Sequence, residues 1–179
     1  MANGKSKGSA FEREIARFLT LWCSGQTETL HFWRSPGSGS VATVSRHMNI
    51  GGDIVSLTPE ADVFTNLFSV ELKKGYPDTN FFHYFKKAKF NIESFWRQCC
   101  KDAQKANKQP MLIYKKPPTI VGVGNFIDVQ IPHMTLQFED LEDLKLYEMK
   151  SFFDVVSYKY IQDIYSHQKE NQNEIKRST

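Results

Sequence analysis

The 179-residue sequence predicts an α/β (α+β) chain with a mixed central β-sheet flanked by helices, and three observations carry that prediction. An apolar stripe at helical spacing opens the chain. Two strand-like segments follow, DIVSL at 53–57 and LFSVELKK at 67–74. An amphipathic helix over 92–107 then leads at once into the strand-like MLIYKK. Strand, helix, strand in that order favours a parallel crossover, with the helix packed on a sheet that also includes residues 53–57.

Ser9-Ala10-Phe11-Glu12 has the Ser-x-x-Glu pattern of a capping box, and Phe11, Ile15, Phe18, Leu19 and Trp22 recur at helical spacing behind it. After a polar break at 24–29, LHFWRSPGSGS predicts a strand entering a Gly/Ser turn at Pro36–Ser40. DIVSL is a short apolar strand that starts on an aspartate, and TPEADVFTN reads as a turn or short loop. In LFSVELKK, Phe68, Val70 and Leu72 point to one side and Ser69, Glu71 and Lys73 to the other. In the 92–107 helix, Ile92, Phe95, Trp96, Cys99, Ala103 and Ala106 form an apolar stripe; Arg97, Lys101, Lys105 and Lys108 form a basic one, and Pro110 is expected to end it. VGVGNFIDVQI predicts another strand, the stretch after Glu139 favours helix, and SHQKENQNEIKRST is polar enough to fray. The expected division is a core at 1–133 and a mostly helical C-terminal extension at 134–179.

Composition narrows the function classes. No apolar run approaches the roughly 18 residues of a membrane helix, and MANGKSKGSA lacks a signal-peptide apolar region, so an intracellular chain with no membrane partner is expected. The three cysteines, Cys23, Cys99 and Cys100, have no CxxC spacing, and the five histidines show no ligand spacing. Net charge is +3, unevenly spread: residues 71–116 carry eleven basic and four acidic side chains, residues 117–179 six basic and ten acidic. The middle third is therefore the candidate polyanion surface. No Walker-type lysine follows the glycines of SPGSGS, which argues against a nucleotide cofactor.

A carboxylate at the first residue of a buried strand needs a partner, and Asp53 and Glu71 can meet at neighbouring strand ends. Two carboxylates about 4 Å apart repel by roughly 4 kcal/mol at an effective dielectric of 20, so a stable pair implies a cation or a raised pKa. Hard oxygen ligands favour Mg²⁺, with Mn²⁺ as the other option. Asp62 is the rival to Asp53 but sits beside Pro59 and Glu60 in an expected surface turn.

Asp53 followed by Glu71-Leu72-Lys73 resembles the D…(D/E)xK core of the PD-(D/E)XK nuclease superfamily, with Gly52 where that superfamily often places a proline. The order KGSAFEREIARFL, WRSPGSGS, GDIV, VELKKG is most similar to the archaeal-type Holliday junction resolvase branch, over residues 7–75. The resemblance implies a restriction-endonuclease-like core and a Mg²⁺-dependent endodeoxyribonuclease acting on branched or otherwise structured DNA as a homodimer. Asp53, Glu71 and the Leu72 carbonyl are then metal ligands, Lys73 orients water or stabilises charge, and Glu12 assists. Arg34, Ser38, Ser40, Lys74, Gln98, Lys101 and Lys115 are the candidate DNA contacts; Gln98 is read as facing away from the apolar stripe of its helix. The segment 81–90, rich in aromatics and lysines, is a candidate dimer interface or base-stacking surface. The alternatives are a duplex-cutting or nicking endonuclease of restriction or phage type, and a non-catalytic DNA-binding protein on the same fold.

Overall fold

The structure, a computed structural model, describes residues 4–35, 52–75 and 91–177. Helix α1 (Gly4–Ser24) leads to strands β1 (Phe32–Arg34) and β2 (Ile54–Ser56), helix α2 (Pro59–Leu67) and strand β3 (Phe68–Lys74). Helix α3 (Asn91–Ala106) then precedes β4 (Gln109–Lys115), β5 (Ile120–Val123), β6 (Met134–Phe138) and β7 (Leu141–Glu148), and helices α4 (Met149–Val155) and α5 (Tyr158–Arg177) close the chain. The expected mixed α/β architecture is present. A five-stranded sheet runs in the order β3-β4-β5-β7-β6, with β3 and β4 parallel and every other pair antiparallel.

Helices cover both faces, so the central strands are apolar on both sides. On β4, Met111 and Ile113 join one core with Phe11, Ile15 and Leu19 of α1, Phe64 of α2 and Phe152 of α4. Leu112 and Tyr114 join the other, with Ile92, Phe95, Trp96 and Cys99 of α3. Each of these large side chains contributes about 1.5–3 kcal/mol on burial. Trp22, near the end of α1, meets Phe64, Phe153 and Tyr158 edge-on at 5.0–5.5 Å between ring centroids, and its indole N–H donates to the Val156 carbonyl at 3.0 Å. One residue thus fastens α1 to α2, α4 and the start of α5.

Several elements differ from expectation. Helix α1 begins at Gly4, so Ser9 lies inside it and Ser9–Glu12 is not a capping box; Lys5-Ser6-Lys7-Gly8 holds no apolar residue to reveal that first turn. The stretch TPEADVFTN is helix α2, with Pro59 in its first turn and Ala61, Phe64 and Leu67 buried at helical spacing. Strand β2 is not a member of the central sheet: it pairs antiparallel with β1, and Gly52, two residues before it, makes an isolated parallel bridge to Val70 of β3. Residues 134–148, where helix was favoured after Glu139, form a β-hairpin turning at Glu139-Asp140. Leu136, Leu144 and Leu146 bury at strand alternation in the α3 core, which overrides the helix preference of the Glu, Leu and Lys residues around them. The polar tail is helical through Arg177. Edge strand β6 carries a register shift between Leu136 and Phe138.

Helix α3 ends four residues before Pro110, which is the second residue of β4. Asn107 adopts φ 54°, its N–H donates to the Gln104 carbonyl at 3.1 Å, and the Lys108 N–H donates to the Ala103 carbonyl at 2.9 Å. That pair of bonds around a left-handed residue is a Schellman stop. Asn107→Ala is expected to cost about 1–2 kcal/mol, and Asn107→Gly to leave stability within about 0.5 kcal/mol, read from urea unfolding midpoints.

Candidate active site

Asp53 meets the edge of β3 twice. Its backbone N–H donates to the Val70 carbonyl at 2.7 Å, and its side-chain Oδ2 accepts the Leu72 N–H at 2.8 Å. In an uninterrupted parallel ladder the Leu72 N–H would go to the Asp53 carbonyl. That carbonyl is already bonded by the Ser35 N–H at 2.8 Å, so the carboxylate takes its place. Gly52 makes this approach possible. Its φ is +92°, and a Cβ there would lie 2.5 Å from the Val70 carbonyl oxygen and 2.6 Å from its nitrogen. Proline, held near φ −65°, cannot adopt this conformation, which accounts for glycine at the position where the superfamily often carries proline.

Glu71 and Lys73 project from β3 toward α3, opposite Val70 and Leu72, as the strand alternation predicts. The Glu71 side chain is only 10% exposed; its carboxylate ion-pairs with the Lys73 ammonium and accepts a hydrogen bond from the Gln98 amide at 3.1 Å. Lys73 Nζ in turn donates to the Gln98 side-chain oxygen at 3.1 Å and lies 5.4 Å from the centre of the Phe95 ring. Gln98, expected to face away from the apolar stripe, is exposed and joins Glu71 and Lys73. It sits on the flank of the apolar stripe, one turn beyond Phe95, where a long side chain reaches β3.

Burial, first, raises the Asp53 pKa; the Leu72 N–H opposes this, Glu12 adds to it, and Lys73 and Arg34 oppose it. Burial likewise raises Glu71, the Asp53 charge raises it further, and Lys73 opposes. Asp53 thus resists the ionisation of Glu71, and Glu12 that of Asp53. Glu12 faces Arg34, with Oε2 3.2 Å from the guanidinium Nε and both side chains largely buried. Asp62 is bonded by Ser56 Oγ at 2.5 Å, at the far end of β2 from Asp53.

Among the described residues no three His, Cys, Asp or Glu side chains converge as a metal cluster. Two carboxylates and a backbone oxygen nevertheless suit a hard cation such as Mg²⁺, which keeps several waters and takes few protein ligands. Asp53 and Glu71 would hold it. The Leu72 N–H and the Val70 carbonyl both face the Asp53 edge, and by strand alternation so does the Leu72 carbonyl. The fit is thus chemical: hard donors with raised pKa values at the end of an unfinished ladder.

Lys74 and Lys115 are register partners at the ends of β3 and β4. Their ammonium groups lie 6.0 and 5.4 Å from the centre of the buried Phe11 ring, and Lys115 is ion-paired with Glu14. Glu14 was missed in the sequence, where 101 residues separate it from Lys115. Lys101 is exposed on α3, whereas Arg97 is held by both oxygens of Asp140 at 2.9 and 3.0 Å and by Glu93. Ser38, Ser40 and the 81–90 segment lie outside the described residues.

Two predictions follow from this geometry. Gly52→Ala, which forces a left-handed non-glycine residue against the β3 backbone, should destabilise the protein by about 2–4 kcal/mol in chemical denaturation. The second concerns pH. The folded-state pKa of Asp53 is raised, so folded Asp53 keeps its proton longer than unfolded Asp53 does. Stability is then lost as pH rises from the ordinary carboxylate range through the raised value, and does not return above it. Asp53→Asn should raise Tm in chelator near neutral pH and leave it unchanged near the ordinary carboxylate pKa. Added Mg²⁺ should raise the Tm of the unsubstituted protein more than that of Asp53→Asn.

Comparison with known proteins adds the family. Residues 3–162 match the family described as "Phage putative PDDEXK endonuclease". No curated protein and no solved structure matches the chain. No helix among the described residues is long and apolar enough to cross a membrane. The match supports the superfamily read from Asp53 and Glu71-Leu72-Lys73 but gives no support to the Holliday junction resolvase branch. With residues 3–162 matched, the chain belongs to the phage PD-(D/E)XK endonuclease family.

Proposed function

We propose that the protein hydrolyses phosphodiester bonds in DNA as a Mg²⁺-dependent endonuclease of phage type, using Asp53 and Glu71 to hold the cation and Lys73 to act on the phosphate. The observation that carries this reading is the joining of Asp53 to Leu72 on the same strand that presents Glu71 and Lys73. When bound, the cation polarises a phosphate oxygen and lowers the pKa of water. Lys73, fixed by Glu71 and Gln98, supplies a proximate ammonium that orients the attacking water or stabilises negative charge on the phosphate. Glu12 keeps Arg34 beside Asp53, where a guanidinium can receive a phosphate oxygen. Lys74, Lys115 and Lys101 extend the positive surface along the DNA backbone, and Ser38 and Ser40 are retained as candidate contacts in the Gly/Ser segment. These contacts give affinity without sequence information.

Selectivity for branched DNA and a homodimeric state rest on the resemblance of KGSAFERE and SPGSGS to the resolvases. The phage-family match favours the broader endonuclease reading. The test is cleavage of four-way junction, flap, single-stranded and linear duplex DNA in Mg²⁺ and in chelator. Mg²⁺-dependent cutting is expected, and Asp53→Asn should lower the single-turnover rate by at least about 10³-fold while DNA binding persists. Symmetric paired cuts confined to the junction would identify a resolvase. Salt-sensitive binding with no cleavage of any substrate would overturn the catalytic reading in favour of a binding protein. Lys115→Ala should flatten the dependence of log Kd on log salt by about one unit.

A further inference from the structure

We infer that Gln98 is a positioning residue, an uncharged latch that holds the Lys73 ammonium at the site, rather than a DNA contact; this rests on the endonuclease reading above. The orientation of its amide is set by chemistry. A carboxylate can only accept and an ammonium can only donate, so the Gln98 NH₂ must face Glu71 and its oxygen must face Lys73, each at 3.1 Å.

Lys73 has a direct ion pair with Glu71, but both the ammonium and the Gln98 amide meet the same Glu71 oxygen, Oε1. A divalent cation held by Glu71 competes for that carboxylate and repels the ammonium. The Gln98 oxygen carries no net charge and is not a partner of the carboxylate, so it keeps its hold on Lys73 when the ion pair loosens. Gln98 itself is exposed, but the helix that carries it is packed on the sheet through Phe95, Trp96 and Cys99. Phe95, one turn earlier, is buried beneath the Lys73 ammonium, and the Trp96 indole N–H donates to the Glu142 carbonyl at 2.8 Å, pinning α3 across to β7. The thiol of Cys99, the next residue, lies 3.8 Å from the Ser69 carbonyl on β3. Helix α3 thus delivers an amide to a fixed point, and long-range packing determines where Lys73 can stand.

The experiment compares the unsubstituted protein, Gln98→Met, Gln98→Asn, Lys73→Met and the Gln98→Met/Lys73→Met double variant, measuring single-turnover cleavage in Mg²⁺, DNA Kd in chelator, and Tm. Gln98→Met removes both hydrogen bonds at similar side-chain length. It should slow cleavage by about 10–100-fold with Kd within about twofold and Tm unchanged. Gln98→Asn, which keeps the amide one methylene shorter, should recover part of the rate. Once Lys73 is methionine, replacing Gln98 should have little further effect, because the latch has nothing to hold. A rise in Kd that accounts for the slower reaction would make Gln98 a DNA contact and overturn the inference. Unchanged cleavage by Gln98→Met, or fully multiplicative losses in the double variant, would also overturn it while leaving the endonuclease reading intact. Absence of cleavage by the unsubstituted protein overturns both.

Discussion

Two hydrogen bonds between Asp53 and β3, one from its backbone and one to its side chain, fix its carboxylate on the strand that carries Glu71 and Lys73. β3 is an edge strand, and Gly52 and Asp53 give it the beginning of a parallel neighbour that then stops. Had β2 continued the ladder, backbone would cover the edge that the Leu72 carbonyl faces. Had Gly52 carried a side chain, Asp53 could not come this close. The strand edge is thus occupied just long enough to fix a carboxylate and is then given over to side chains. Its helix-covered faces hold that edge still: α1 and α2 pack on one side and α3 on the other.

The electrostatic arrangement works against the resting fold. Burial raises the pKa of both Asp53 and Glu71, Asp53 raises Glu71 further, Glu12 adds to the strain on Asp53, and Lys73 relieves both. Such tension is characteristic of functional sites, where a bound cation or substrate charge completes the balance. Elsewhere the protein neutralises its own charge. Lys105 is bound to Asp102 within the middle third and Lys145 to Asp128 within the acidic C-terminal third, whose Asp140 also binds Arg97 from the middle of the chain. Among the described residues, the cations free to face a polyanion are fewer than a charge count along the sequence implies.

Much of the framework could be read from the sequence because its signals are local. The apolar stripe of α3, the alternation in β3 and the apolar run of β4 each specify an element, and their order specifies the parallel crossover. The Asp53 and Glu71-Leu72-Lys73 pattern was likewise visible, since chemistry demands particular residue types. What escaped was tertiary. Pro59 and the acidic residues after it read as turn chemistry until Phe64 and Leu67 are seen to bury against the core. The β6–β7 hairpin is written in residues with helix preference, and only the common core of Leu136, Leu144 and Leu146 distinguishes it. Gln98 was assigned by its angle from the apolar stripe, but side-chain reach rather than angle brings it to Glu71.

The opposite margin of the sheet has a separate consequence. β6 pairs only with β7, exposes Met134 and Thr135, and slips register between Leu136 and Phe138. A short, irregular margin is a poor template for adding another strand. At the other margin, the β3 row is interrupted by Gly52 and Asp53. Among the described residues neither side therefore presents a long, regular series of backbone donors and acceptors, so strand-to-strand aggregation of copies of the protein is disfavoured.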